Sequence, residues 1–402
     1  MSGGVALFNG FSLLRLGEYL AEVGGVHRQY DGGRLSTWLP LPARLIARGV
    51  NRVSGERGVM RILVAGDRGY LGAVMVPLLR GAGHELVGLD AGWYDGCDFG
   101  PVTFDYEQRT ADIRAARVED LRGFDAVINL AAVSNDPVGH LNPEATYSVN
   151  AHGAIHLAKV AKAAGIERYL FSSSCSLYGA AGSAPVTEDA EFNPVTPYGE
   201  SKVMAEKGVG ALADDSFSPT YLRNATAYGS SPRLRADVVV NNLTGTAFTQ
   251  GDVRLQSDGS PWRPLIHAED IARAFLAALE APREVVHDKA FNVGRVEDVV
   301  QIRDIAEQVA EALDAPVTFA AGAGPDKRNY RVDFTRISQL LPAFKPEWTI
   351  ATGIDELVHD MRRFGLSTED FEGSRYVRLE RIRELLAARR LDDRLMMTLD
   401  AE

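Results

Sequence analysis

The sequence predicts a doubly wound α/β fold, in which helices cover both faces of a parallel β-sheet. Two observations lead to this prediction. From Met60 onward, short apolar runs typical of buried strands alternate with helical patterns, and a glycine-rich turn joins the first apolar run to the first helix. Strands that alternate with helices in this way are joined by right-handed crossovers and form a parallel sheet.

The predicted elements follow one another in a regular order. The apolar runs expected to form strands are "RILVAG", "ELVGLD", "AVINLA", "RYLFSSS" and "TYLRNA". Helices are expected through Leu78, from about Pro143 to Ala164 and from about Tyr198 to Gly210. Residues 1–59 match no unit that the pattern assigns. Their first apolar patch is compatible with a surface helix and the rest with a tail.

The composition narrows the classes of function. A chain of 402 residues, 46% of them hydrophobic, can form one large α/β domain or two lobes around a real core. Its two cysteines, Cys97 and Cys175, form no CxxC pair, which favours a reducing compartment, and we expect a cytoplasmic protein. A net charge of −11 argues against nucleic-acid binding. No apolar run approaches the roughly 20 residues of a membrane span, so small-molecule partners are expected.

Three glycines in "RILVAGDRGYLG" lie at the first strand-to-helix turn, where a doubly wound sheet binds its ligand. A side chain at Gly66 would obstruct the tight turn, and one at Gly69 would keep the backbone away from a pyrophosphate. A side chain at Gly72 would push the helix off the sheet. The spacing therefore predicts a dinucleotide phosphate site.

Asp90 ends the second predicted strand, in "ELVGLDAG". A carboxylate at this position accepts hydrogen bonds from an adenosine ribose and repels a 2'-phosphate, which favours NAD over NADP. Arg68, inside the glycine loop, is the residue that would weaken this preference.

An ordered series of motifs surrounds these residues: "GDRGYLG", "LD" at Asp90, "ADI" at Asp112, "NLAA" at 129–132, "SSSCSLYG", "PYGESK" and "WRPLIHAEDIA". By this series, the chain from Met60 to about Leu357 resembles an extended short-chain dehydrogenase/reductase of the nucleotide-sugar epimerase and dehydratase family. The resemblance implies a Rossmann domain over residues 60–230. It also implies a smaller substrate-binding lobe and C-terminal helices, mainly over residues 231–402 and interleaved with the Rossmann domain.

The resemblance also implies NAD as the cofactor and a nucleotide-diphosphate sugar as the substrate. With the glycine loop and Asp90, it predicts cofactor contacts at Gly66, Gly69, Tyr70, Leu71, Gly72, Asp90, Asp112, Ile113, Ala131, Tyr198 and Lys202. By similarity, Asp112 and Ile113 contact the adenine and Ala131 borders the cofactor. No metal site is predicted, because His152 and His156 have ligand spacing but no cysteine or carboxylate set to complete a site.

Tyr198 and Lys202 are four residues apart at the start of a predicted helix, so they share one face and can act on one ligand. An adjacent ammonium and a positively charged nicotinamide are expected to lower the pKa of the tyrosine and make it a general base. Ser174 matches the family's catalytic Ser/Thr, whose hydroxyl orients the substrate oxygen. Ser172 and Ser173 are expected only to satisfy backbone groups at the strand end.

Such a triad oxidises an alcohol to a ketone, with the hydride passing to the nicotinamide. The family then divides into epimerases, dehydratases, and reductases or dehydrogenases. The 4,6-dehydratases carry Asp-Glu directly after the catalytic Ser/Thr, where this chain has Cys175 and Ser176. An epimerase acting at C4 is therefore predicted. A keto-sugar reductase or dehydrogenase, an atypical dehydratase and a catalytically silent NAD-binding regulator remain as alternatives.

The second lobe is expected to select the substrate. By resemblance, the substrate-binding residues are Ser134, Asn224, Asn242, Arg263, Arg328 and Tyr330. The arginine with which 4-epimerases bind the diphosphate, shortly before "DKRNYRVD", is absent, and Ala323 lies near its position. Arg328 is expected to substitute for it.

Three further features carry expectations. His267 is expected to fix a turn before a helix that begins near Glu269, and the tail "YVRLERIRELLAARRLDDRLM" is expected to form a docking helix. Small and apolar residues on two helices predict a homodimer built around a four-helix bundle, as in the resembling family. The residues that suggest this interface are His152, Ala158, Ala161, Ala205 and Val209.

Overall fold

A computed structural model describes residues 27–31, 34–38, 58–102, 104–134, 136–179, 184–324 and 329–398. The chain divides into two compact units, residues 1–53 and 54–402. In the first unit, β1 (His27–Asp31) and β2 (Arg34–Trp38) pair as an antiparallel hairpin. No strand was predicted here, although Gly32 and Gly33 between two alternating runs are a hairpin signal. The patch expected to form a surface helix lies outside the described residues.

The second unit is built on a seven-stranded sheet in which every neighbouring pair is parallel. Its strands are β3 (Arg61–Ala65), β4 (Glu85–Asp90), β5 (Glu107–Thr110), β6 (Ala126–Asn129), β7 (Arg168–Ser174), β9 (Ser218–Asn224) and β13 (Lys289–Val293). Their order across the sheet is β5-β4-β3-β6-β7-β9-β13. The strand order therefore reverses between β3 and β6, and a doubly wound sheet binds its ligand at this reversal.

The central strands are buried on both faces, as parallel strands covered by helices must be. Val64, Val127 and Leu170 are at most 1% exposed. The doubly wound fold predicted from the alternating pattern is confirmed.

Helices cover the sheet and form much of the second lobe. They are α1 (Gly72–Gly81), α2 (Asp136–Leu141), α3 (Pro143–Tyr147), α4 (Ala154–Ala163), α5 (Pro197–Gly210), α6 (Val239–Gln250), α7 (Ala268–Glu280), α8 (Arg283–Val286), α9 (Ile302–Leu313), α10 (Thr335–Leu340), α11 (Ile350–Phe364), α12 (Thr368–Glu372) and α13 (Arg378–Ala387). Among the described residues, no helix has both the length and the apolar character needed to cross a membrane.

The helix predicted from about Tyr198 begins one residue earlier, at Pro197. Thr196 caps it by accepting a hydrogen bond from Gly199 N, and a proline in the first helical turn loses no intrahelical bond. The helix predicted from about Pro143 to Ala164 is interrupted by a π-helical segment, Ser148–Gly153, between α3 and α4. Sequence periodicity did not reveal this segment, since it shifts the backbone pairing without ending the helix.

The remaining strands form three small sheets. They are β8 (Pro185–Val186), β10 (Thr226–Tyr228), β11 (Val253–Ser257), β12 (Trp262–His267), β14 (Val299–Gln301), β15 (Val317–Gly324) and β16 (Arg331–Val332). The strand pairs are β10-β12-β14, β11-β15 and β16-β8. Between the strands of these small sheets the chain returns to the seven-stranded sheet. There α7 packs against α1, and β13 pairs with β9. The two lobes are thus interleaved in sequence.

His267 caps α7, as expected, because its Nδ1 accepts a hydrogen bond from Glu269 N at 3.2 Å. Its ring is fully enclosed: Nε2 lies 2.8 Å from Glu356 Oε2, and the ring stacks on Trp348 at 4.0 Å between centroids. These contacts give His267 a structural role in the second lobe.

The C-terminal tail forms α13, which docks on this chain's own sheet domain. Ile382 and Leu385 are buried in one cluster with Trp93 and Val133. Arg381 Nε also donates to the carbonyl of Trp93 at 3.0 Å. The tail therefore covers the loops that follow β4 and β6.

The residues that suggested the homodimer do not form an outer face. Ala158, Ala161, Ala205 and Val209 are all fully buried in the core beneath the sheet's helices. Of the five residues, His152 is exposed. The small residues allow the two helices to pack closely against each other and the sheet within one chain. The prediction that these residues form a dimer interface is therefore wrong.

Candidate active site

A cleft of about 740 Å³ opens at the carboxyl ends of the strands, next to the reversal between β3 and β6. Every site residue predicted from sequence that the structure describes lines it: Gly66, Gly69, Tyr70, Leu71, Gly72, Asp90, Asp112, Ile113, Ala131, Ser134, Ser174, Tyr198, Lys202, Asn224, Asn242, Arg263 and Tyr330. Arg328 lies outside the described residues. The parallel sheet brings these distant segments together because all its strands end at the same edge.

The glycine loop leaves no room for side chains. Gly66 has φ of +87°, and a Cβ there would lie 2.8 Å from Ala131 N. A Cβ on Gly72 would lie 2.2 Å from the carbonyl oxygen of Gly66, inside the loop itself. The loop is therefore a tight backbone cradle at the start of α1, the arrangement that fits a dinucleotide pyrophosphate.

Asp90 lies at the end of β4, where the ribose of a dinucleotide is expected. Its Oδ1 accepts a hydrogen bond from Gly92 N at 2.7 Å, and burial raises the pKa of this carboxyl. Arg68 is held beside it: Nη2 donates to the Asp90 carbonyl at 2.9 Å and to Thr110 Oγ1 at 3.0 Å. Arg68 Nη1 pairs with Asp95 at 2.6 Å. The arginine that would favour NADP is thus already bound to protein groups.

Two predicted cofactor residues use their side chains within the protein. Asp112 caps the short helix Ile113–Ala115, and its carboxylate also pairs with the guanidinium of Arg114 at 2.6 Å. The hydroxyl of Tyr70 donates to the carbonyl of Gly229 at 2.8 Å, which ties the glycine loop to the segment after β10. Their side chains shape the cleft through these contacts.

The predicted catalytic residues meet on one wall of the cleft. Ser174, the last residue of β7, donates to Ser176 Oγ at 3.1 Å and lines the cleft together with Tyr198. Lys202 Nζ lies 5.7 Å from the centroid of the Tyr198 ring. The spacing on α5 therefore places tyrosine and lysine side by side, one turn apart, as predicted.

Burial governs the protonation of this pair in the protein alone, whereas the sequence-based expectation included the positive charge of a bound nicotinamide. Burial raises the pKa of Tyr198 to about 12, and the nearby Ser174 opposes this shift only in part. Burial also lowers the pKa of Lys202 to about 7, because an ammonium in an apolar site is poorly solvated. Desolvation thus outweighs the attraction between the two groups in the protein alone.

Lys202 is oriented by the strand beneath it. Its Nζ donates to the carbonyl of Ser172 at 2.7 Å and lies 4.7 Å from the centroid of the Phe171 ring. Ser172 Oγ accepts a hydrogen bond from Asn224 Nδ2 at 3.1 Å. The serine predicted to have only a backbone role therefore holds both the lysine and a predicted substrate residue.

Two contacts that sequence reasoning missed hold α5 in place. Asn150, in the π-helical segment, donates to Ser201 Oγ and to the carbonyl of Val133, both at 3.0 Å. Arg223 on β9 pairs with Glu206 at 2.7 Å, and both side chains are buried. An asparagine within a predicted helix was the available signal for Asn150. For the ion pair there was none, because its partners lie on separate elements.

The substrate-side residues come from both lobes. Asn242 donates to the carbonyl of Ala236 at 3.0 Å, and Arg263 lies over the ring of Tyr330, 5.9 Å from its centroid. Ser134 accepts a hydrogen bond from Arg235 Nη1 at 3.2 Å. Ser134, Asn242, Arg263 and Tyr330 all line the same cleft as the glycine loop.

Residues 62–294 match the model of the NAD dependent epimerase/dehydratase family, which is more than half of the chain. The chain belongs to this family. Its NAD requirement agrees with the cofactor predicted from Asp90, so both the resemblance and the cofactor are confirmed. NAD is accordingly the cofactor that the glycine loop and Asp90 of this family member would hold.

Known members of the family extend over most of this chain. UDP-glucose 4-epimerase of Lactobacillus helveticus is 29% identical over 312 residues, covering 72% of this chain and 92% of its own length. UDP-glucose 4-epimerase of Mycolicibacterium smegmatis is 28% identical and covers 75% of this chain and 99% of its own length.

Solved structures share the fold. UDP-glucose 4-epimerase of Thermotoga maritima, solved with UDP-glucose, has a TM-score of 0.67 at 22% identity, covering 76% of this chain and all of its own. A dTDP-glucose 4,6-dehydratase of Streptomyces venezuelae, solved with NAD, has the same TM-score and identity and covers 77% of this chain and all of its own. The fold of this family member is thus common to enzymes with different reactions.

The further residues of this family member that line the cleft and were missed in the sequence include Trp93, Tyr94, Arg235 and Arg378. Arg378 is the first residue of α13, and its guanidinium lies 3.9 Å from the centroid of the Tyr94 ring. Nothing in the tail sequence distinguished this arginine from the other charged residues of an amphipathic helix.

Proposed function

We propose that this protein is an NAD-dependent nucleotide-sugar epimerase that acts at C4 through a transient keto intermediate. The observation that carries the proposal is that Ser174, Tyr198 and Lys202 line one cleft together with the glycine loop, with Lys202 Nζ 5.7 Å from the centroid of the Tyr198 ring. Relatives at 28–29% identity that are named UDP-glucose 4-epimerases support this reaction and UDP as the nucleotide.

The residues of the cleft have distinct roles in the proposed reaction. Tyr198 removes the proton of the C4 hydroxyl, and Ser174 holds the substrate oxygen in position for this transfer. When bound, NAD supplies a hydride acceptor and a positive charge next to the tyrosine. Because the pKa of Tyr198 is about 12 in the protein alone, the tyrosine depends on nearby positive charge to act as a base at neutral pH.

The residues after Ser174 favour an epimerase over a 4,6-dehydratase. Cys175 is fully buried, its thiol donates to the carbonyl of Arg223 at 3.1 Å, and burial raises its pKa far above neutrality. Ser176 has no acid or base function near neutral pH and hydrogen-bonds with Ser174. Neither residue can perform the proton transfers that eliminate water in the manner of those dehydratases.

A proton NMR time course tests the reaction. Purified protein is incubated with UDP-glucose, UDP-galactose and their uronic acid and N-acetyl counterparts, with no cofactor added. We expect one pair of C4 epimers to interconvert, while NAD(H) released by heat denaturation remains a substantial molar fraction of the protein. Turnover only with added cofactor would instead identify a reductase or dehydrogenase, and loss of water from the sugar would identify a dehydratase. A protein that binds NAD and transforms none of these sugars would identify the silent regulator.

A homodimer is also proposed, with α5 at its centre as in the resembling family. The outer side of α5 carries Met204, which is 41% exposed. We therefore expect Met204, and not the buried alanines, to contact the second copy of the chain. Light scattering of wild type and Met204→Glu at micromolar concentration tests this arrangement. A monomeric wild type with full activity would contradict the dimer, and an unchanged dimer in Met204→Glu would place the interface elsewhere.

A further inference from the structure

Two buried arginines from distant parts of the chain line the same cleft. Arg235 is 9% exposed and Arg378 is 4% exposed. Arg235 Nε pairs with Asp237 at 2.8 Å, and its Nη1 donates to Ser134. Arg378 donates through Nη2 to the carbonyl of Arg233 at 3.1 Å and stacks on Tyr94. Within the described part of the chain, no carboxylate forms an ion pair with Arg378.

The position of Arg378 is unfavourable for the protein by itself. A buried guanidinium without a carboxylate partner recovers only part of its lost hydration, here from one carbonyl and the Tyr94 ring. As the first residue of α13, it also lies at the positive end of the helix dipole. Burial lowers the pKa of Arg378, and the charge of Arg235 lowers it further. A contribution to stability therefore does not explain why an arginine stands here. An anion bound in the cleft would offset the lost hydration, the unfavourable end of the helix dipole and the repulsion from Arg235.

The location of the pair indicates which part of a substrate it meets. Arg235 is close enough to Tyr198 to act on its pKa, and it contacts Ser134, which follows β6. The reacting sugar carbon must lie within hydrogen-bonding reach of Tyr198. Because Arg235 and Arg378 line the same cleft as this tyrosine, we assign them to the sugar and Arg263, on β12 of the second lobe, to the diphosphate.

We propose that Arg378, supported by Arg235, binds a carboxylate on the sugar, so that the substrate is a nucleotide-linked hexuronic acid. This proposal rests on the function proposed above and names its substrate class. A guanidinium binds a carboxylate with two parallel hydrogen bonds, which gives orientation as well as attraction. Asp237 neutralises one of the two arginines, so the pair retains one net positive charge, which matches one carboxylate.

The packing of α13 supports this role. Ile382 and Leu385, one and two turns after Arg378, are buried against Trp93 and Val133. Arg381 is fixed to the carbonyls of Trp93 and Asp95, at 3.0 and 3.2 Å. The helix is thus anchored on the sheet domain, and its first residue is held rigidly at the cleft.

Isothermal titration of UDP-glucuronate and UDP-glucose into wild type and Arg378→Met tests the proposal. We expect wild type to bind UDP-glucuronate more tightly. In Arg378→Met, the Kd for UDP-glucuronate should rise about 10-fold or more, as for a lost charge-assisted hydrogen bond, while the Kd for UDP-glucose changes by less than about 3-fold. The matched control is Arg383→Met, which removes a half-exposed arginine of the same helix and should leave both values unchanged.

Two outcomes would overturn the proposal: an equal rise for both ligands, which would assign Arg378 to the diphosphate, and no rise for either. If Arg378→Met does not fold by its melting temperature, Arg378→Lys replaces it. That variant keeps the charge but loses the two-pronged geometry, so only the Kd for UDP-glucuronate should rise. Because binding is measured, a protein that binds UDP-glucuronate without epimerising it would contradict the proposed reaction and leave this site intact.

Discussion

Arg68 Nη1 lies 2.6 Å from Asp95 Oδ2, so the one arginine of the glycine loop is paired before any cofactor binds. Its other nitrogen is bonded to the Asp90 carbonyl and to Thr110. A 2'-phosphate would therefore meet the Asp90 carboxylate and an arginine whose charge is already neutralised. We therefore propose that two carboxylates, rather than Asp90 alone, select NAD over NADP.

We predict that the double variant Asp90→Ser, Asp95→Asn gains affinity for NADPH by about 10-fold or more, because it removes one repulsive charge and frees Arg68. Fluorescence titration of NADH and NADPH measures both affinities. Asp105→Asn, at an exposed carboxylate, is the control. An unchanged ratio of the two affinities, or a wild type that releases only NADP(H) on denaturation, would refute this explanation of cofactor choice.

Tyr198→Phe should lower turnover by about 10²-fold or more, because it removes the proton acceptor and almost no volume. Folding and NAD binding should persist, since the substitution removes only a hydroxyl that faces the cleft. The NMR assay gives turnover, and the melting temperature with and without NAD gives folding and binding. A folded variant with wild-type turnover would remove Tyr198 from the mechanism.

Glu206→Gln should lower the free energy of unfolding by about 3–5 kcal/mol, because it leaves Arg223 buried without its counter-charge. The loss should loosen α5, which carries both Tyr198 and Lys202. Urea unfolding of the cofactor-free protein measures the change in the free energy of unfolding. The control is Lys207→Gln, on the exposed side of the same helix. Equal stability of the two variants would show that the ion pair does not hold the helix.

The lowered pKa of Lys202 should make the stability of the protein depend on pH. Its pKa falls from 10.5 in the unfolded chain to about 7 in the folded protein, so between these values the unfolded chain binds the proton that the folded protein has lost. The unfolding free energy should therefore rise with pH across this window, by up to about 1.4 kcal/mol per pH unit, and the gain is lost as pH falls through 7. In cofactor-free Lys202→Met this component should be absent. Identical pH profiles for variant and wild type would contradict a buried, destabilised ammonium.

Deleting residues 1–59 should leave NAD binding intact, because the sheet begins with β3 at Arg61 and residues 1–53 form a separate compact unit. The melting temperature and the NADH affinity of the shortened protein measure the effect. Loss of folding would show that the segment belongs to the core of the second unit.

Local patterns in the sequence were sufficient for the fold class, the glycine loop and the catalytic pair. Alternating strand and helix patterns fix which segments are buried, and the glycine positions fix a turn that admits no side chain. Tyr198 and Lys202 meet because two residues four apart on a helix share a face. Each of these relationships depends on geometry within one element or one turn, so the order of residues determines it.

Tertiary packing decided what depends on distant segments and on burial. Arg235 and Arg378 come together only because α13 folds back onto the sheet domain, and Ala158 and Ala205 proved to be core residues because two helices pack against each other and the sheet. The pKa of Tyr198 rises because its surroundings exclude water, a property that no short motif encodes. Contacts between elements and the solvation of a charge are set by how the whole chain packs, so the sequence by itself determined that Tyr198 and Lys202 lie side by side but not their protonation or the arginines that share their cleft.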